Sequence, residues 1–451
     1  MAHETICALA TPPGQSALAI IRVSGPEALA IKSQIFRPKK TPQKHFVATR
    51  GDVLDLDDAV CVSFPEDKSF TGEPSFELYL HGSPIISQRV LEALQALGAR
   101  GARPGEFSLR AYLSGKIDLC EAESICDLIS ARSEQAAQAA LRNLKGGLSN
   151  YLEPTRVNLI DILCEIEARL DFPDENLGQL QKEILSNKIQ NCLDTLNKLL
   201  KSAQLGKRLT EGARVVLLGR PNAGKSTLLN ALLGEDKALV HETPGTTRDI
   251  IEANWVLNGV PIILVDVAGI RESENLDPVE RLGIERAKQE LDKADLILSL
   301  REPGQERVKL NFVGVPVIEI ETKIDLDRHC EEPKTKQQSS LDCFALLAMT
   351  IKISAKTGQG LENLRQQIIQ ILLGDNFNLG EVMLTKIRQK EEVQKAHECL
   401  VEAKEALKRG EPDEVLAFEL RSAGNALDRL LGKSLNEEVL NLIFSRFCIG
   451  K

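Results

Sequence analysis

Apolar residues follow two different spacings along this chain, and the spacing changes from one region to the next. Near the N-terminus, short apolar or alternating runs at residues 17–23, 59–64 and 76–80 are typical of β-strands. Residues 85–97 have the three- and four-residue spacing of an amphipathic helix, and Gly98 follows as a helix stop. Residues 1–117 are therefore predicted to form a mixed domain of helices and strands.

Helical spacing dominates residues 118–212 and 376–451. Apolar residues recur there at every third or fourth position, which predicts helices packed around a shared core. These positions are Ile125, Leu128, Ile129, Leu141, Leu144, Leu148, Ile184, Ile189, Leu193, Leu196, Leu199, Leu200, Val393, Ala396, Leu400, Ala403, Leu407, Leu427, Leu430 and Leu431. Because the two regions flank a different pattern, we expect one all-α domain into which another domain is inserted.

Strand and helix patterns alternate in the inserted region, residues 213–375. Asn258-Gly259 separates two short apolar runs, which is a strong hairpin signal. Further strand patterns at residues 296–298, 315–320 and 351–353 alternate with helical ones. This order predicts a mostly parallel sheet with one antiparallel edge strand.

Composition and charge narrow the class of protein. The 43% hydrophobic content of the 451 residues is enough for several cores, and a net charge of −9 argues against non-specific nucleic-acid binding over the whole surface. A local basic patch or a basic partner remains compatible with that charge. The ten cysteines show no zinc-like spacing, and neither a signal peptide nor a membrane span is present, so we expect reduced thiols in a cytoplasmic protein.

The first chemical motif lies at residues 219–226, Gly-Arg-Pro-Asn-Ala-Gly-Lys-Ser. It has the form G-x-x-x-x-G-K-[ST], between an apolar run and a helical pattern, as a phosphate-binding loop requires. Lys225 would contact the outer phosphates and the Ser226 hydroxyl would bind Mg²⁺. Taken alone, the pattern also fits a chance glycine-rich turn.

Three later motifs exclude that alternative. Asp266, which opens the D-x-x-G motif at residues 266–269, would hold Mg²⁺ through water. Asp325, in the x-K-x-D motif at residues 322–325, can accept two hydrogen bonds from guanine, which adenine cannot offer. Ser-Ala-Lys at residues 354–356 would complete the base pocket. In this order the motifs predict a Ras-like α/β P-loop domain specific for GTP over ATP.

Some positions depart from the usual pattern of such domains. Thr322 stands where asparagine is usual, so we expect weaker nucleotide affinity with the specificity kept. Ile270 stands where Ras-like enzymes place a water-orienting glutamine, so charge stabilisation must come from elsewhere. Asn222 is the candidate, either as a ligand of a monovalent cation beside the phosphates or as an ordinary turn residue. Thr246 and Thr247 lie in the loop where a threonine usually caps Mg²⁺.

Over essentially its full length the chain resembles the MnmE (TrmE) family of tRNA-modification GTPases. The segments that carry the resemblance are ATPPG at residues 10–14, SFTGE at 69–73, RPGEFS at 103–108, DFPDE at 171–175, the phosphate loop, GTTRD at 245–249 and FCIGK at 447–451. The terminal Cys-Ile-Gly-Lys is the most specific of them, because no general GTPase pattern predicts it.

The resemblance implies a homodimer formed through the N-terminal domains, with a site there for 5-formyl- or 5,10-methylene-tetrahydrofolate. Arg22, Glu77, Lys116 and Lys451 would bind the folate, although from the sequence alone the first three equally fit surface ion pairs. Cys448 would face the folate and the modification chemistry as a catalytic residue, with a small, partly buried thiol as the alternative.

The resemblance also implies a catalytic K⁺ site that draws two nucleotide domains together. Asn222, His241, Thr243 and Thr246 would bind K⁺, while Ser226 and Thr247 would bind Mg²⁺. Glu280 would orient the attacking water, with a solvated carboxylate at a helix start as the alternative. The predicted GTP-binding residues are Asn222, Ala223, Gly224, Lys225, Ser226, Thr227, His241, Glu242, Thr243, Pro244, Gly245, Thr246, Thr247, Asp266, Val267, Ala268, Gly269, Thr322, Lys323, Asp325, Ser354, Ala355 and Lys356.

Taken together, the patterns and the resemblance predict a multidomain protein. It comprises an α+β N-terminal folate-binding and dimerisation domain (1–117), an all-α helical domain in two parts (118–212 and 376–451) and an inserted Ras-like G domain (213–375). It would be a K⁺-stimulated GTPase that forms a heterotetramer with an FAD-dependent partner of the MnmG (GidA) type. Together they would add a carboxymethylaminomethyl group to C5 of wobble uridine 34 in certain tRNAs, with the dimer opening and closing as GTP is hydrolysed.

Two other classes of GTPase fit the sequence less well. A ribosome-assembly GTPase that binds rRNA disagrees with the terminal Cys-Ile-Gly-Lys, the N-terminal domain and the absence of a basic tail. A self-assembling membrane GTPase lacks support, because the sequence has no amphipathic basic helix or lipidation motif.

Overall fold

The computed structural model describes residues 4–40, 46–171, 182–234, 250–267, 288–305, 314–326, 350–374 and 382–450. Internal contacts divide the chain into two compact units. The first comprises Met1–Cys126, Leu141–Leu193 and Lys395–Lys451, and the second comprises Asp127–Ala140 and Asp194–Gln394. The domain boundaries predicted above stay predictions.

A mixed sheet forms the N-terminal part of the first unit. Its strands are β1 (Ile6–Leu9), β2 (Ser16–Ser24), β3 (Phe36–Pro38), β4 (Thr49–Val53), β5 (Asp57–Phe64), β6 (Ser75–Gly82) and β7 (Arg100–Gly101). Within the described residues the order is β3-β4-β5-β6-β2-β1-β7, and β1 pairs with β7 in parallel. The helices of this region are α1 (Ala28–Ile35), α2 (Pro84–Ala96) and α3 (Glu106–Leu113).

Alternating burial along the central strands explains this sheet. Ile21 and Val23 of β2 and Leu78 and Leu80 of β6 are fully buried, and α1 and α2 cover them with Ile31, Val90 and Leu94. The strands predicted at 17–23, 59–64 and 76–80 and the helix predicted at 85–97 are confirmed as β2, β5, β6 and α2. Helix α3 and the shorter strands β1, β3, β4 and β7 were not predicted.

Helices follow along the chain as α4 (Leu119–Ser130), α5 (Glu134–Leu144), α6 (Gly147–Asp171) and α7 (Lys182–Glu211). Three positions predicted as core are instead exposed, namely Ile129 (49%), Leu141 (41%) and Ile184 (52%). Ile129 lies in the last turn of α4. Leu141 lies in α5, and the turns that separate α4, α5 and α6 reset the helical phase across residues 125–148. Ile184 lies in the first turn of α7.

The second unit contains a mostly parallel sheet, as predicted. Its elements are β8 (Ala213–Gly219), α8 (Lys225–Leu233), β9 (Ile250–Leu257), β10 (Val260–Val267), β11 (Leu296–Arg301), β12 (Val317–Glu321), β13 (Thr350–Lys352) and α9 (Leu361–Leu373). The order among the described strands is β13-β12-β11-β8-β10-β9, with β9 alone antiparallel to its neighbour. Positive φ angles at Asn258 (49°) and Gly259 (81°) fit the predicted hairpin turn.

The remaining helices are α10 (Ile387–Arg409), α11 (Asp413–Leu430) and α12 (Glu437–Phe444). The predicted stripe of α10 is buried along its whole length, from Val393 to Leu407, and so are Leu427, Leu430 and Leu431. Within the first unit α11 packs against α6, where Arg156 Nε lies 2.6 Å from Asp428 Oδ1. Among the residues described, no helix is both long and apolar enough to cross a membrane.

Candidate functional site

The phosphate loop connects β8 to α8 at the carboxyl edge of the second sheet. Gly224 precedes the helix with a left-handed backbone (φ +90°), and Asn222 is also left-handed (φ +64°). A Cβ atom on Gly219 would lie 2.7 Å from the Leu300 carbonyl oxygen of the adjacent strand β11. Glycine is therefore required at these two motif positions, which bring the N–H groups at the start of α8 to the loop.

Lys225 is buried inside this loop. Its Nζ donates to the carbonyl oxygens of Gly219 (3.0 Å) and Arg220 (3.3 Å). Burial lowers the pKa of its ammonium group, and the nearby Asp266 carboxylate opposes that shift. The loop thus holds the ammonium group with carbonyl dipoles, in the position from which the motif's lysine contacts phosphate.

Ser226 and Asp266 meet as neighbours at this edge. Ser226 Oγ donates to Asp266 Oδ2 over 3.0 Å. Burial raises the pKa of the Asp266 carboxyl group, while the Ser226 hydrogen bond and the Lys225 charge lower it. Asp266 Oδ1 is buried and has no hydrogen-bond partner among the described residues. A hydroxyl beside a carboxylate with an unused oxygen fits Mg²⁺, which prefers hard oxygen ligands and retains water.

The x-K-x-D and Ser-Ala-Lys motifs form one pocket wall beside the phosphate loop. Ser354 Oγ donates to Asp325 Oδ1 (2.7 Å), which fixes the carboxylate expected to read guanine. Thr322 is buried, and its hydroxyl lies 2.8 Å from the Ala223 carbonyl oxygen of the loop. Ala355 is half-buried and Lys356 is exposed beyond Ser354.

Glu302 belongs to the same pocket wall, although the sequence analysis did not identify it. Its Oε1 accepts a 2.5 Å bond from Lys323 Nζ. No motif marks this residue, but it directly follows β11, at the sheet edge where the other groups lie.

The described residues include only part of the predicted GTP, K⁺ and folate sites. His241, Glu242, Thr243, Pro244, Gly245, Thr246, Thr247, Ala268, Gly269, Ile270, Glu280 and Lys451 lie outside the described residues. Thr227 is exposed in α8, and Val267 is buried at the end of β10. The Asn222 side chain is exposed, and asparagine tolerates the left-handed backbone found there, so the cation ligand and the turn residue both stay open.

A second group of predicted residues meets on the N-terminal sheet. Arg22 and Glu77 are cross-strand neighbours on β2 and β6, with Arg22 Nε 2.8 Å from Glu77 Oε1. The Tyr79 hydroxyl donates to Glu77 Oε2 (2.7 Å), and this bond, with burial, raises the pKa of Tyr79 to about 12. The Arg22 guanidinium also lies 5.7 Å from the Phe107 ring centre, within the range of a cation–π contact.

The C-terminal Cys-Ile-Gly segment lies against this group. Arg22 Nη1 donates to the Gly450 carbonyl oxygen (3.1 Å), and the Gly105 N–H donates to the Cys448 carbonyl oxygen (3.3 Å). Cys448 itself is exposed. Lys116, the fourth folate candidate, donates to the Asp67 carbonyl oxygen (2.6 Å) instead of joining the Arg22–Glu77 pair. The structure thus brings Arg22, Glu77 and the tail together, whereas Lys116 binds elsewhere in the domain.

Comparison with known proteins assigns the chain. A family model described as GTP-binding protein TrmE N-terminus matches residues 5–116, and one described as MnmE helical domain matches residues 119–448. The tRNA modification GTPase MnmE of Thermotoga maritima is 39% identical over 467 residues, which cover 99% of this chain and 100% of the relative. The chain belongs to the MnmE family of tRNA modification GTPases.

Other MnmE relatives match over the same length. That of Aquifex aeolicus is 39% identical, covering 100% of both chains, and that of Thermus thermophilus is 40% identical, covering 99% of each. Membership of the MnmE family makes the chain a GTPase, in agreement with the order of its nucleotide motifs. A solved structure of an Aquifex aeolicus Era variant is 26% identical over 41% of this chain and 66% of its own, with a TM-score of 0.27, and the assignment does not rest on it.

Proposed function

We propose that this MnmE family member is a K⁺-stimulated GTPase subunit of the complex that adds a carboxymethylaminomethyl group to C5 of wobble uridine 34 in certain tRNAs. The main support for this proposal is that one chain contains two separate sites. Ser226–Asp266 and Ser354–Asp325 line a GTP pocket, while Arg22–Glu77 lies beside a tail that presents Cys448.

In the GTP pocket, Asp325 accepts the two donors of guanine, and Lys225 contacts the outer phosphates. Ser226 and Thr247 would bind Mg²⁺, and Asp266 would hold it through water. The ion would supply positive charge that offsets the charge developing on the phosphate oxygens. Because hydrolysis exchanges one anion for two, release of the γ-phosphate changes the charge balance at this sheet edge. We infer that this change opens and closes the dimer.

Hydrolysis itself needs groups beyond the described pocket. Asn222, with His241, Thr243 and Thr246, would hold K⁺ against the phosphates, and Glu280 would orient the attacking water. The exposed Asn222 carboxamide supports this role, because its oxygen is available to a cation. A fixed cation there stabilises the charge of the transition state, as a preorganised electrostatic group does elsewhere.

In the N-terminal domain, Arg22, Glu77, Lys116 and Lys451 would bind a tetrahydrofolate that donates the new carbon. A pterin ring carries adjacent N–H donors, which a carboxylate such as Glu77 accepts, and the folate tail is anionic, which suits arginine and lysine. We also propose a homodimer through these domains, a heterotetramer with an FAD-dependent partner of the MnmG (GidA) type, tRNA as the substrate and a cytoplasmic location.

Reconstitution with labelled folate tests this proposal. The purified chain, its flavoprotein partner, GTP, Mg²⁺, K⁺, unmodified tRNA and glycine, which supplies the carboxymethylamino part, are combined with 5,10-methylene-tetrahydrofolate labelled in its one-carbon group. We expect the label to appear on C5 of the wobble uridine. Lys225→Ala should abolish the labelling. Lys293→Ala is the control and should preserve it, because the Lys293 side chain is 63% exposed. Absence of label with the intact chain, or equal labelling by both variants, would contradict the proposal.

A further inference from the structure

Thr322 connects the base pocket to the phosphate loop. Its hydroxyl lies 2.8 Å from the Ala223 carbonyl oxygen and 3.2 Å from the Arg301 carbonyl oxygen, and its N–H donates to the latter over 2.9 Å. The residue is 3% exposed, so water does not compete for these bonds. The hydroxyl therefore joins the end of β12 to the loop that surrounds the phosphates.

The hydroxyl has one proton, and both of its neighbours are carbonyl acceptors. The guanine atoms N7 and O6 are also acceptors, so they require a donor. Because its proton is already bound to the loop, Thr322 has none to offer the base. An asparagine amide has two N–H donors and could serve the loop and the base together.

The contact lies at a sensitive point of the loop. Ala223 precedes Gly224, the left-handed residue at which α8 begins, and the Ala223 N–H closes a turn with the Arg220 carbonyl oxygen (3.1 Å). Fixing the Ala223 carbonyl therefore fixes the peptide plane whose N–H belongs to Gly224. In a phosphate-binding loop, that N–H and the ones after it donate to the phosphates.

We propose that Thr322 is a positioning residue for the phosphate loop and that this GTPase leaves guanine N7 unread. This inference rests on the proposed nucleotide site. Selection of the base falls to Asp325, which Ser354 fixes through a 2.7 Å hydrogen bond. The protein therefore binds the guanine base less tightly than it would with a second side-chain donor at position 322.

Binding of GDP and of 7-deaza-GDP, which lacks the N7 acceptor, separates positioning from base reading. The full-length chain is titrated with both nucleotides in Mg²⁺, as the natural protein and as Thr322→Val, Thr322→Ser and Thr322→Asn. We expect the natural protein to bind the two nucleotides within a factor of about two, since the Thr322 hydroxyl has no proton left for N7. Thr322→Val should weaken the binding of both nucleotides by the same factor, about tenfold, because the buried Ala223 carbonyl oxygen loses its hydrogen-bond donor.

The remaining variants keep the test decisive if Thr322→Val folds poorly. Thr322→Ser retains the hydroxyl and should bind both nucleotides like the natural protein. Thr322→Asn should prefer GDP over 7-deaza-GDP by about fivefold or more, because it adds a donor.

Three results would overturn the proposal. They are a tenfold preference of the natural protein for GDP over 7-deaza-GDP, an unchanged GDP affinity in folded Thr322→Val, and a loss of affinity in Thr322→Ser equal to that in Thr322→Val. A natural protein that binds GDP no better than Lys225→Ala would instead overturn the nucleotide site, and this role with it.

Discussion

The two oxygens of the Asp266 carboxylate have different surroundings. Oδ2 accepts the Ser226 hydrogen bond, whereas Oδ1 is buried without a partner among the described residues. A buried acceptor that lacks a donor is costly, and the raised pKa of this carboxyl group reflects its burial. A hydrated Mg²⁺ would supply the missing donor through a water proton and would also offset the buried negative charge.

Asp266→Asn tests this role. The amide keeps an oxygen for Ser226 but removes the charge that holds hydrated Mg²⁺. We expect GTP turnover at saturating nucleotide to fall about 100-fold, with a higher Mg²⁺ concentration needed for half-maximal rate. Steady-state hydrolysis across a Mg²⁺ titration measures both. The exposed Asp292→Asn is the matched control and should behave like the natural protein, whereas an unchanged Mg²⁺ dependence in Asp266→Asn would contradict the assignment.

The sequence identified residues whose spacing is itself a signal. Lys225, Ser226 and Asp325 follow from motifs that occur in a fixed order, and the structure places their side chains at one sheet edge. Glu302 has no such signal, because only tertiary packing brings it to Lys323. The alternation of residues 76–80 puts Glu77 and Tyr79 on one strand face, and the structure adds the hydrogen bond between them.

At the scale of elements, Glu106 holds the start of α3 to β7. Its carboxylate accepts bonds from Arg100 Nη2 (2.6 Å), from Arg110 Nη2 (3.0 Å) and from the Arg103 N–H (2.8 Å). Burial raises the pKa of this carboxyl group, but the bonds from Arg100, Arg103 and Arg110 outweigh burial and leave it at about 2. The charged form is thus favoured by folding, and it fixes the segment against which the C-terminal tail packs.

This shift predicts a pH dependence of stability. Since the pKa of Glu106 is lower in the folded chain, its contribution is complete above the ordinary value of 4.5 and is lost as the pH falls toward 2. Glu106→Gln should lower the free energy of unfolding by about 1–3 kcal/mol at pH 7, and the difference from the natural protein should shrink below pH 4.

Thermal or urea unfolding at several pH values measures that difference. Glu4→Gln is the control, because Glu4 also pairs with Arg100 but its side chain is 69% exposed. We expect little effect from it at any pH. A Glu106→Gln difference that stays constant from pH 7 to pH 3 would contradict the interpretation.

An ion pair and hydrogen bonds attach the last turn of α7 to the rest of the second unit. Arg208 Nε lies 3.0 Å from Asp295 Oδ1, and its Nη1 donates to the Leu372 carbonyl oxygen. Asp295 Oδ2 in turn accepts from the Arg214 N–H at the start of β8 (2.9 Å). Arg208 is 8% exposed, so its charge depends on these partners.

Asp295→Ala removes one of them and leaves a buried cation incompletely paired. We expect the free energy of unfolding of the second unit to fall by about 2–4 kcal/mol, seen as a lower urea midpoint. Lys207→Ala changes the neighbouring residue of α7, which is 56% exposed in a 4.0 Å pair with Glu211, and should shift the midpoint little. Equal effects of the two substitutions would contradict the proposed role of the buried pair.

Elements with long, regular patterns were predictable, and short ones were not. The α10 stripe and the β9–β10 hairpin follow from spacing and from Asn258-Gly259, and the structure confirms both. Strands such as β3 and β7 span only three and two residues, too few for a periodic pattern, and form because neighbouring strands offer hydrogen-bonding edges. The predicted helical phase was wrong at Leu141 for a related reason, since the turns that separate α4, α5 and α6 are not visible as spacing.

At the scale of the whole molecule, the proposal requires a cation-dependent enzyme. GTP turnover in KCl should exceed that in NaCl of equal ionic strength by about tenfold or more, because K⁺ at Asn222 would stabilise transition-state charge. Asn222→Ala should remove the difference between the salts. Asn230→Ala, an exposed asparagine of α8, should preserve it. Equal rates of the natural protein in both salts would contradict the role of Asn222.

If nucleotide turnover and the C-terminal tail serve one modification, the nucleosides of cellular tRNA report on both. Cells lacking the protein receive the intact gene, Lys225→Ala, Cys448→Ser, or Cys164→Ser as the control for another exposed cysteine. The nucleosides of their bulk tRNA are then quantified by mass analysis. We expect the C5-modified wobble uridine to disappear in the deletion, to return with the intact gene and Cys164→Ser, and to stay absent with Lys225→Ala and Cys448→Ser. An unchanged nucleoside profile in the deletion would contradict the claim and favour a GTPase that acts on another RNA.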